Sequence, residues 1–330
     1  MSRSGAKRGW LNPWPGCKLN FSVRFKLHPV LLVAMVLALC AAVVAAVAWL
    51  RFSSAAEPRS LLTRIPDRDA SPALLIDFGA LRESGLLALL AAPDLQEPEY
   101  KEFVLATGFN YQEDLDLAIV SFQPQTTFLL LRGRFDWDKL ADYSRSQDGS
   151  CLNTLCRMPG STPERRISFF PLRFDILALA VSRDPYAATL LMERHPAGDE
   201  PPLPPRPVWL TVPGSYLRTS ENLPPGLRVF AKAAAAAQRV VLALDSNRGE
   251  VEASLEAECL TEDGAASLAG QLQGLTAVLR DMIARENHTP NPRDLSGVLT
   301  GGSFQSNKRI VTGRWPLPRP FLDALAGSSQ

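Results

Sequence analysis

The pattern of apolar and polar positions predicts paired strands separated by helices over most of the chain after residue 70. In 250–259, Val, Ala, Leu and Cys alternate with Glu and Ser, which is the two-residue period of a strand with one wet face. Shorter apolar runs occur in adjacent pairs, as at 115–122 and 127–134, and predict hairpins. Helices are predicted at 81–90, 137–146 and 262–285, and further strands at 176–182 and 297–304.

Both halves of this pattern have the same order: strand, helix, strand, strand, helix, strand. Between them, residues 196–207 contain six prolines, which stiffen a chain and exclude both helix and ladder. A hairpin followed by a helix on one sheet face is typical of ferredoxin-like α+β sandwiches. We therefore predict an α+β fold with two ferredoxin-like lobes, 71–195 and 208–330, joined by a Pro-rich linker.

A short repeated sequence supports an internal duplication. Gly133, Arg134 and Phe135 end one predicted strand, and Gly313, Arg314 and Trp315 end another.

A different pattern occurs near the amino terminus, where Val30–Leu50 contains no charged side chain. Such a run spans roughly 30 Å as a helix, about the thickness of a hydrocarbon core. Residues 1–29 contain Lys and Arg but no Asp or Glu, a bias that keeps a segment cytoplasmic. These features predict a single-pass signal-anchor in the cytoplasmic membrane, a basic cytoplasmic tail at 1–29, a tether at 51–70 and an extracytoplasmic carboxy-terminal region.

A cleaved secretory signal with a cut near Glu57 is the alternative. The long apolar core and the 29-residue leader favour the anchor. Within the span, four alanines recur at intervals of four and would let a second helix approach, which suggests a homodimer. The alternative is that an Ala-rich span contains such a register by chance. The candidate helix–helix contact comprises Ala34, Ala38, Ala42 and Ala46.

Charge narrows the range of partners. The chain has 35 basic and 34 acidic residues, and six of the basic ones lie in the tail, so the remainder is slightly acidic and has no nucleic-acid footprint. The lipid bilayer is the predicted partner of the basic tail and the apolar span.

Five Cys are present. Cys151 and Cys156 lie five residues apart in a polar loop and can close a small disulfide ring in an oxidising compartment. Cys259 falls on the apolar side of the alternating run and is predicted to be a buried small residue.

The sequence contains few candidate catalytic or metal-binding residues. Three His are present, and no nucleophile elbow, phosphate loop or zinc-helix motif occurs, so we assign no catalytic residue, cofactor or metal ligand. An acidic cluster at 113–116 could bind calcium, but it lacks the ligand spacing and Gly of a calcium loop. Arg132 and Arg134 could hold an anion, although solvated strand positions explain them as well. Asp136 is predicted to cap a helix.

A resemblance to known proteins indicates a cellular setting for this chain. The segment from Ala73 to Trp137, with the sequences at 107–110 and 133–136 and the acidic positions Asp114 and Asp116, resembles uncharacterised bacterial membrane-tethered proteins with duplicated α+β envelope domains. The resemblance implies a bacterial cell envelope and transfers no activity. We therefore expect a binding or scaffolding protein with another envelope protein as partner. The alternative is a hydrolase-like enzyme with a site between the two lobes.

Overall fold

The computed structural model describes residues 57–90, 98–195, 206–219, 225–247, 250–286 and 289–327. All of them belong to one compact unit, Ser53–Gln330.

One antiparallel sheet of twelve strands organises the described residues. Its strand order is β11-β12-β10-β9-β8-β1-β2-β3-β7-β6-β5-β4. The strands are β1 (Ala73–Asp77), β2 (Leu115–Phe122), β3 (Thr126–Gly133), β4 (Ser150–Leu152), β5 (Leu155–Pro159), β6 (Arg166–Arg173), β7 (Ile176–Ser182), β8 (Val208–Pro213), β9 (Arg239–Asn247), β10 (Glu250–Glu258), β11 (Ser303–Asn307) and β12 (Ile310–Leu317).

Helices connect these strands, with 3-10 turns at Arg68–Ala70 and Ala187–Met192. They are α1 (Pro58–Leu62), α2 (Phe78–Glu83), α3 (Leu86–Leu90), α4 (Pro98–Thr107), α5 (Tyr111–Asp114), α6 (Trp137–Ser146), α7 (Gly214–Thr219), α8 (Pro225–Ala234), α9 (Glu262–Arg285), α10 (Leu295–Thr300) and α11 (Arg319–Gly327).

The predicted pair of ferredoxin-like lobes is wrong. β1 pairs along its length with β8, which follows the Pro-rich segment, so the two halves share one continuous sheet. The physical reason is that two separate lobes would each leave a long strand edge unpaired, and pairing the two edges satisfies their backbone groups. The free ends of the sheet are instead the short strands β4 and β11.

The order of elements repeats about an approximate twofold axis at the centre of the sheet. Ala73 pairs with Thr211 and Leu75 with Trp209, symmetrically about the Leu74–Leu210 pair. On one side of this axis the strand order is β1-β2-β3-β7-β6, and on the other it is β8-β9-β10-β12-β11. The chain therefore uses one β-α-β-β-α-β-β plan twice, and β4 and β5 extend the first half.

The short sequence repeat at Gly133 and Gly313 does not belong to this plan. Gly133 ends β3, whose counterpart across the axis is β10, whereas Gly313 lies within β12, the counterpart of β7. The two segments share only Gly and Arg, with Phe135 in one and Trp315 in the other, which is too little to identify equivalent strands.

The predictions of a transmembrane helix, a signal-anchor and a single-pass location in the inner membrane are not supported by the structure. Among the residues that the structure describes, each helix is too short or too polar to cross a bilayer. The predicted span, Val30–Leu50, lies outside those residues. What the structure shows is an α+β sheet domain.

Part of the predicted tether is folded. Residues 58–62 form α1, and Leu61, Leu62 and Ile65 are at most 2% exposed. The sequence pattern missed this segment because its few apolar residues follow no regular period. Their burial against the sheet makes residues 58–65 a part of the domain.

Local breaks also shift element boundaries. The predicted helix at 81–90 is two helices, because Gly85 adopts a positive φ of 74° between α2 and α3. Residues 297–300, predicted to begin a strand, complete α10, which Asp294 caps by accepting the Ser296 N–H. The strand begins only at Ser303.

The two faces of the sheet are covered differently. We call the face that carries Leu74 and Leu210 the front face and the face that carries Leu75 and Trp209 the back face. Buried residues of α2, α3, α9, α10 and α11 pack in one cluster with front-face residues of the second half, and α6 packs on the first half. On the back face, α1 and the turn 187–192 cover the first half.

Arg82 fastens α2 to the start of β2. Its guanidinium donates hydrogen bonds to the carbonyl oxygens of Gln112, Glu113 and Leu115, at 2.8, 3.1 and 3.1 Å, and pairs with Asp116 at 3.2 Å. The twofold counterpart of Arg82 is Arg218 in α7, which donates to the carbonyl of Ala235 at 2.8 Å just before β9.

Substituting Arg82→Lys should lower the free energy of unfolding by about 2 kcal/mol, because an ammonium group cannot reproduce the planar contacts to several carbonyls. Urea unfolding measures the change, and Arg293→Lys, on an exposed residue, is the control. Equal midpoints for the two variants would show that these hydrogen bonds contribute nothing.

Candidate functional site: a central apolar trough

Directly paired residues form one row of apolar side chains across the front face. The row crosses six central strands, from β9 through β8, β1, β2 and β3 to β7. Because neighbouring strands lie about 4.8 Å apart, the row is about 24 Å long. Its members are Leu242, Leu210, Leu74, Val120, Leu129 and Leu179, and we call this row the central trough.

The central trough is incompletely covered. All six of its side chains are partly exposed or exposed, and Leu242 reaches 38%. On the back face of the same strands, by contrast, Leu75, Ile119, Phe128 and Leu130 are at most 4% exposed. The sheet centre thus has one buried face and one face on which a row of apolar side chains is partly exposed to solvent.

At its β9 end the trough leads into a pocket of about 350 Å³. This volume is within the range of small-molecule sites. α7, α8 and α10 form the roof, and strands of the second half form most of the floor. The lining residues are Pro72, Phe122, Leu210, Val212, Tyr216, Leu217, Phe230, Ala231, Ala234, Val240, Leu242, Leu255, Leu299 and Trp315.

The position of α7 depends on a close backbone approach. The N–H of Gly214 donates to the carbonyl of Gln238 at 2.9 Å, and a Cβ at Gly214 would meet the carbonyl oxygen of Ala237. A glycine is needed there, because any side chain would push α7 away from the strand below. α7 in turn places Tyr216 and Leu217 over the pocket.

The chemistry of the pocket is that of an apolar binding site. Among the described residues, its lining includes no Asp, Glu, Lys, Arg or His, and the polar side-chain groups there are the Tyr216 hydroxyl and the Trp315 indole. The indole N–H of Trp315 is buried without a hydrogen-bond partner in the structure. A pocket with two polar side-chain groups among its described lining residues suits a ligand that makes few hydrogen bonds.

The two lobes between which the alternative enzyme site is expected are not present, because β1 pairs with β8 and the two halves share one sheet. Within the described residues, no group of three or more His, Cys, Asp or Glu could hold a metal ion.

The candidate polar residues from the sequence lie away from the trough, at the start of β2. Asp114 pairs with Arg134 at 2.9 Å, and Asp116 pairs with Arg82 at 3.2 Å. These ion pairs hold the start of β2 against its neighbouring elements. Asp136 caps α6 as predicted: it accepts the Lys139 N–H, which lowers the pKa of its carboxyl.

The cysteines occupy two separate environments. Cys151 and Cys156 are opposite one another in the β4–β5 hairpin and form a disulfide. Cys259 is buried, as predicted, and burial raises the pKa of its thiol. The positions Ala34, Ala38, Ala42 and Ala46 lie outside the described residues, and a contact through them stays a prediction.

Replacing both Cys151 and Cys156 by Ser should lower the free energy of unfolding by about 2 kcal/mol, since the bond closes a small loop in the unfolded chain. Thermal unfolding with and without a reductant measures it: the wild type should lose stability on reduction and the double variant should not. A reductant effect of equal size in both proteins would place its origin elsewhere.

Comparisons with known proteins assign this chain to no family. No family model and no curated protein matches this chain. Three solved structures, crystal forms III, I and IV of TP0453, match with TM-scores of 0.44, 0.41 and 0.41 and identities of 12%, 10% and 12%. The matches cover 78%, 79% and 78% of this chain and 93%, 94% and 92% of those chains. Scores this low carry no argument about fold or function.

Proposed function

We propose that this protein is a non-enzymatic binding protein that takes an apolar ligand into the central trough and its end pocket. The observation that carries the proposal is the pocket of about 350 Å³, whose lining residues within the described part of the chain carry no charged side chain. Burial of apolar surface supplies about 25 cal/mol per Å², so such a site binds through hydrophobic contact with few polar constraints.

The asymmetry of the two faces supports the same function. A protein that needed only stability would gain by sealing Leu74, Leu210 and Leu242 as it seals Leu75 and Trp209. The exposed front-face row therefore has a cost in stability that ligand binding offsets. The expected scaffolding of another envelope protein remains a separate hypothesis, and the resemblance to envelope proteins stays a prediction.

The substitution Leu242→Arg tests the proposal. Leu242 is 38% exposed and lines the pocket, so arginine there should leave the fold intact while placing a charge in the ligand path. We expect at least tenfold weaker binding of the apolar dye Nile red, about 1.4 kcal/mol, measured by fluorescence titration.

The matched control is Thr312→Arg, which adds the same charge at an exposed position on β12. Thr312 lies on the opposite face, in register with Glu256, and the control should bind Nile red like the wild type. If Leu242→Arg binds the dye as tightly as Thr312→Arg, the trough is not the binding site.

A further inference from the structure

The trough and pocket differ in shape. The trough contributes one side chain from each of six strands in a straight line about 24 Å long, from Leu242 to Leu179. The pocket encloses the β9 end of this line, where Leu255, Leu299 and Trp315 are at most 8% exposed. The site is therefore a linear groove that is closed at its β9 end.

A straight hydrocarbon chain matches this geometry. A methylene group advances an extended chain by roughly 1.3 Å, from the length and angle of C–C bonds, so about 18 carbons span the row. A compact ring system could occupy the pocket, but it would leave the row from Leu74 to Leu179 uncovered.

The orientation follows from charge. A carboxylate or other charged head in the closed end would be desolvated next to Leu255 and Leu299 without a charged partner, at a large cost. The apolar end can enter there freely, while the head stays in water beyond the open part of the trough.

Resting on the function proposed above, we propose that the ligand is a single-chain amphiphile of the fatty-acid type, which lies across the central strands with its methyl end in the pocket that Leu242 and Trp315 line. One row and one pocket accommodate one chain, so a diacyl lipid is not the ligand.

The first test is a length series of saturated fatty acids from octanoate to docosanoate, with displacement of Nile red as the readout. Affinity should rise about fourfold per added methylene and level off near octadecanoate. Cholesterol and phosphatidylcholine vesicles are the other competitors, and both should displace the dye at least tenfold less effectively than octadecanoate.

The second test locates the methyl end. A fatty acid brominated at its terminal carbon should quench the emission of Trp315, and the isomer brominated beside the carboxylate should not. The substitution Trp315→Phe should abolish the quenching by the terminally brominated acid. Trp137 packs against the same cluster as Leu179, at the other end of the trough, so in the control Trp137→Phe this quenching should persist.

The outcomes separate the two proposals. Nile red binding that depends on Leu242, together with affinities independent of chain length or equal quenching by both isomers, would overturn the chain assignment and leave the binding function in place. Nile red binding that is insensitive to Leu242→Arg would overturn both. Preferential displacement by the vesicles would replace the single chain with a diacyl lipid.

Discussion

Replacing Phe128 by Ala should lower the free energy of unfolding by about 3–5 kcal/mol, the usual cost of truncating a buried phenylalanine. Phe128 lies on β3 and is 1% exposed. It packs on the sealed back face in a cluster that contains residues of both halves, among them Leu75 and Trp209. The loss should therefore appear as a lower urea midpoint in a single transition, measured by circular dichroism.

The control is Phe174→Ala, because Phe174 is 73% exposed in the turn between β6 and β7. Its truncation should change the stability by less than about 0.5 kcal/mol. If Phe128→Ala costs no more than Phe174→Ala, the back face is not the core of the domain. Two separate unfolding transitions would contradict the single sheet.

The substitution Gly214→Ala should have the second-largest effect, a loss of about 1–3 kcal/mol from overpacking together with weaker ligand binding. A Cβ at Gly214 meets the backbone carbonyl of Ala237, which cannot rotate away as a side chain would. Relief of the clash must move α7, which places Tyr216 and Leu217 over the pocket. Thermal unfolding and Nile red titration measure the two effects.

Gly274→Ala is the matched control, since a Cβ at this position of α9 meets no atom within 4 Å. Because Gly274 lies at an exposed position of α9, alanine there should stabilise the helix by up to about 1 kcal/mol and leave dye binding unchanged. Unaltered dye binding in Gly214→Ala would show that α7 does not form the roof of the site.

Strand and helix positions could be predicted where local patterns dominate. The pattern places 115–122, 176–182, 137–146 and 262–285 at the bounds that the structure has. In these segments the apolar period is long and regular, and helix starts carry a capping residue such as Thr261 or Asp136.

Strand pairing between distant segments could not be predicted. The contact of β1 with β8 joins residues more than 130 positions apart, and Leu74 and Leu210 carry no local sign of each other. Repetition of the element order was visible, but two lobes and one symmetric sheet produce the same order. Even the true counterparts, Arg82 and Arg218, share only a Leu-Arg pair.

The candidate site was missed for a related reason. Apolar residues in β1, β2, β8 and β9 predict a core on both faces, and the sequence does not show which face its helices leave open. Only the register aligns Leu242, Leu210, Leu74 and Val120 in one row. One sequence feature could have drawn attention to this site. Apolar and polar residues do not alternate in these strands, a pattern typical of sheets covered on both faces.

The most direct measurement is an NMR titration of protein labelled at Leu and Val methyl groups, with Nile red as the ligand. The binding function predicts shifts at front-face methyls, foremost Leu74, Leu210 and Leu242, while the back-face methyls of Leu75 and Leu130 stay in place. Shifts confined to the back face, or no shift at saturating ligand, would contradict a binding site in the central trough.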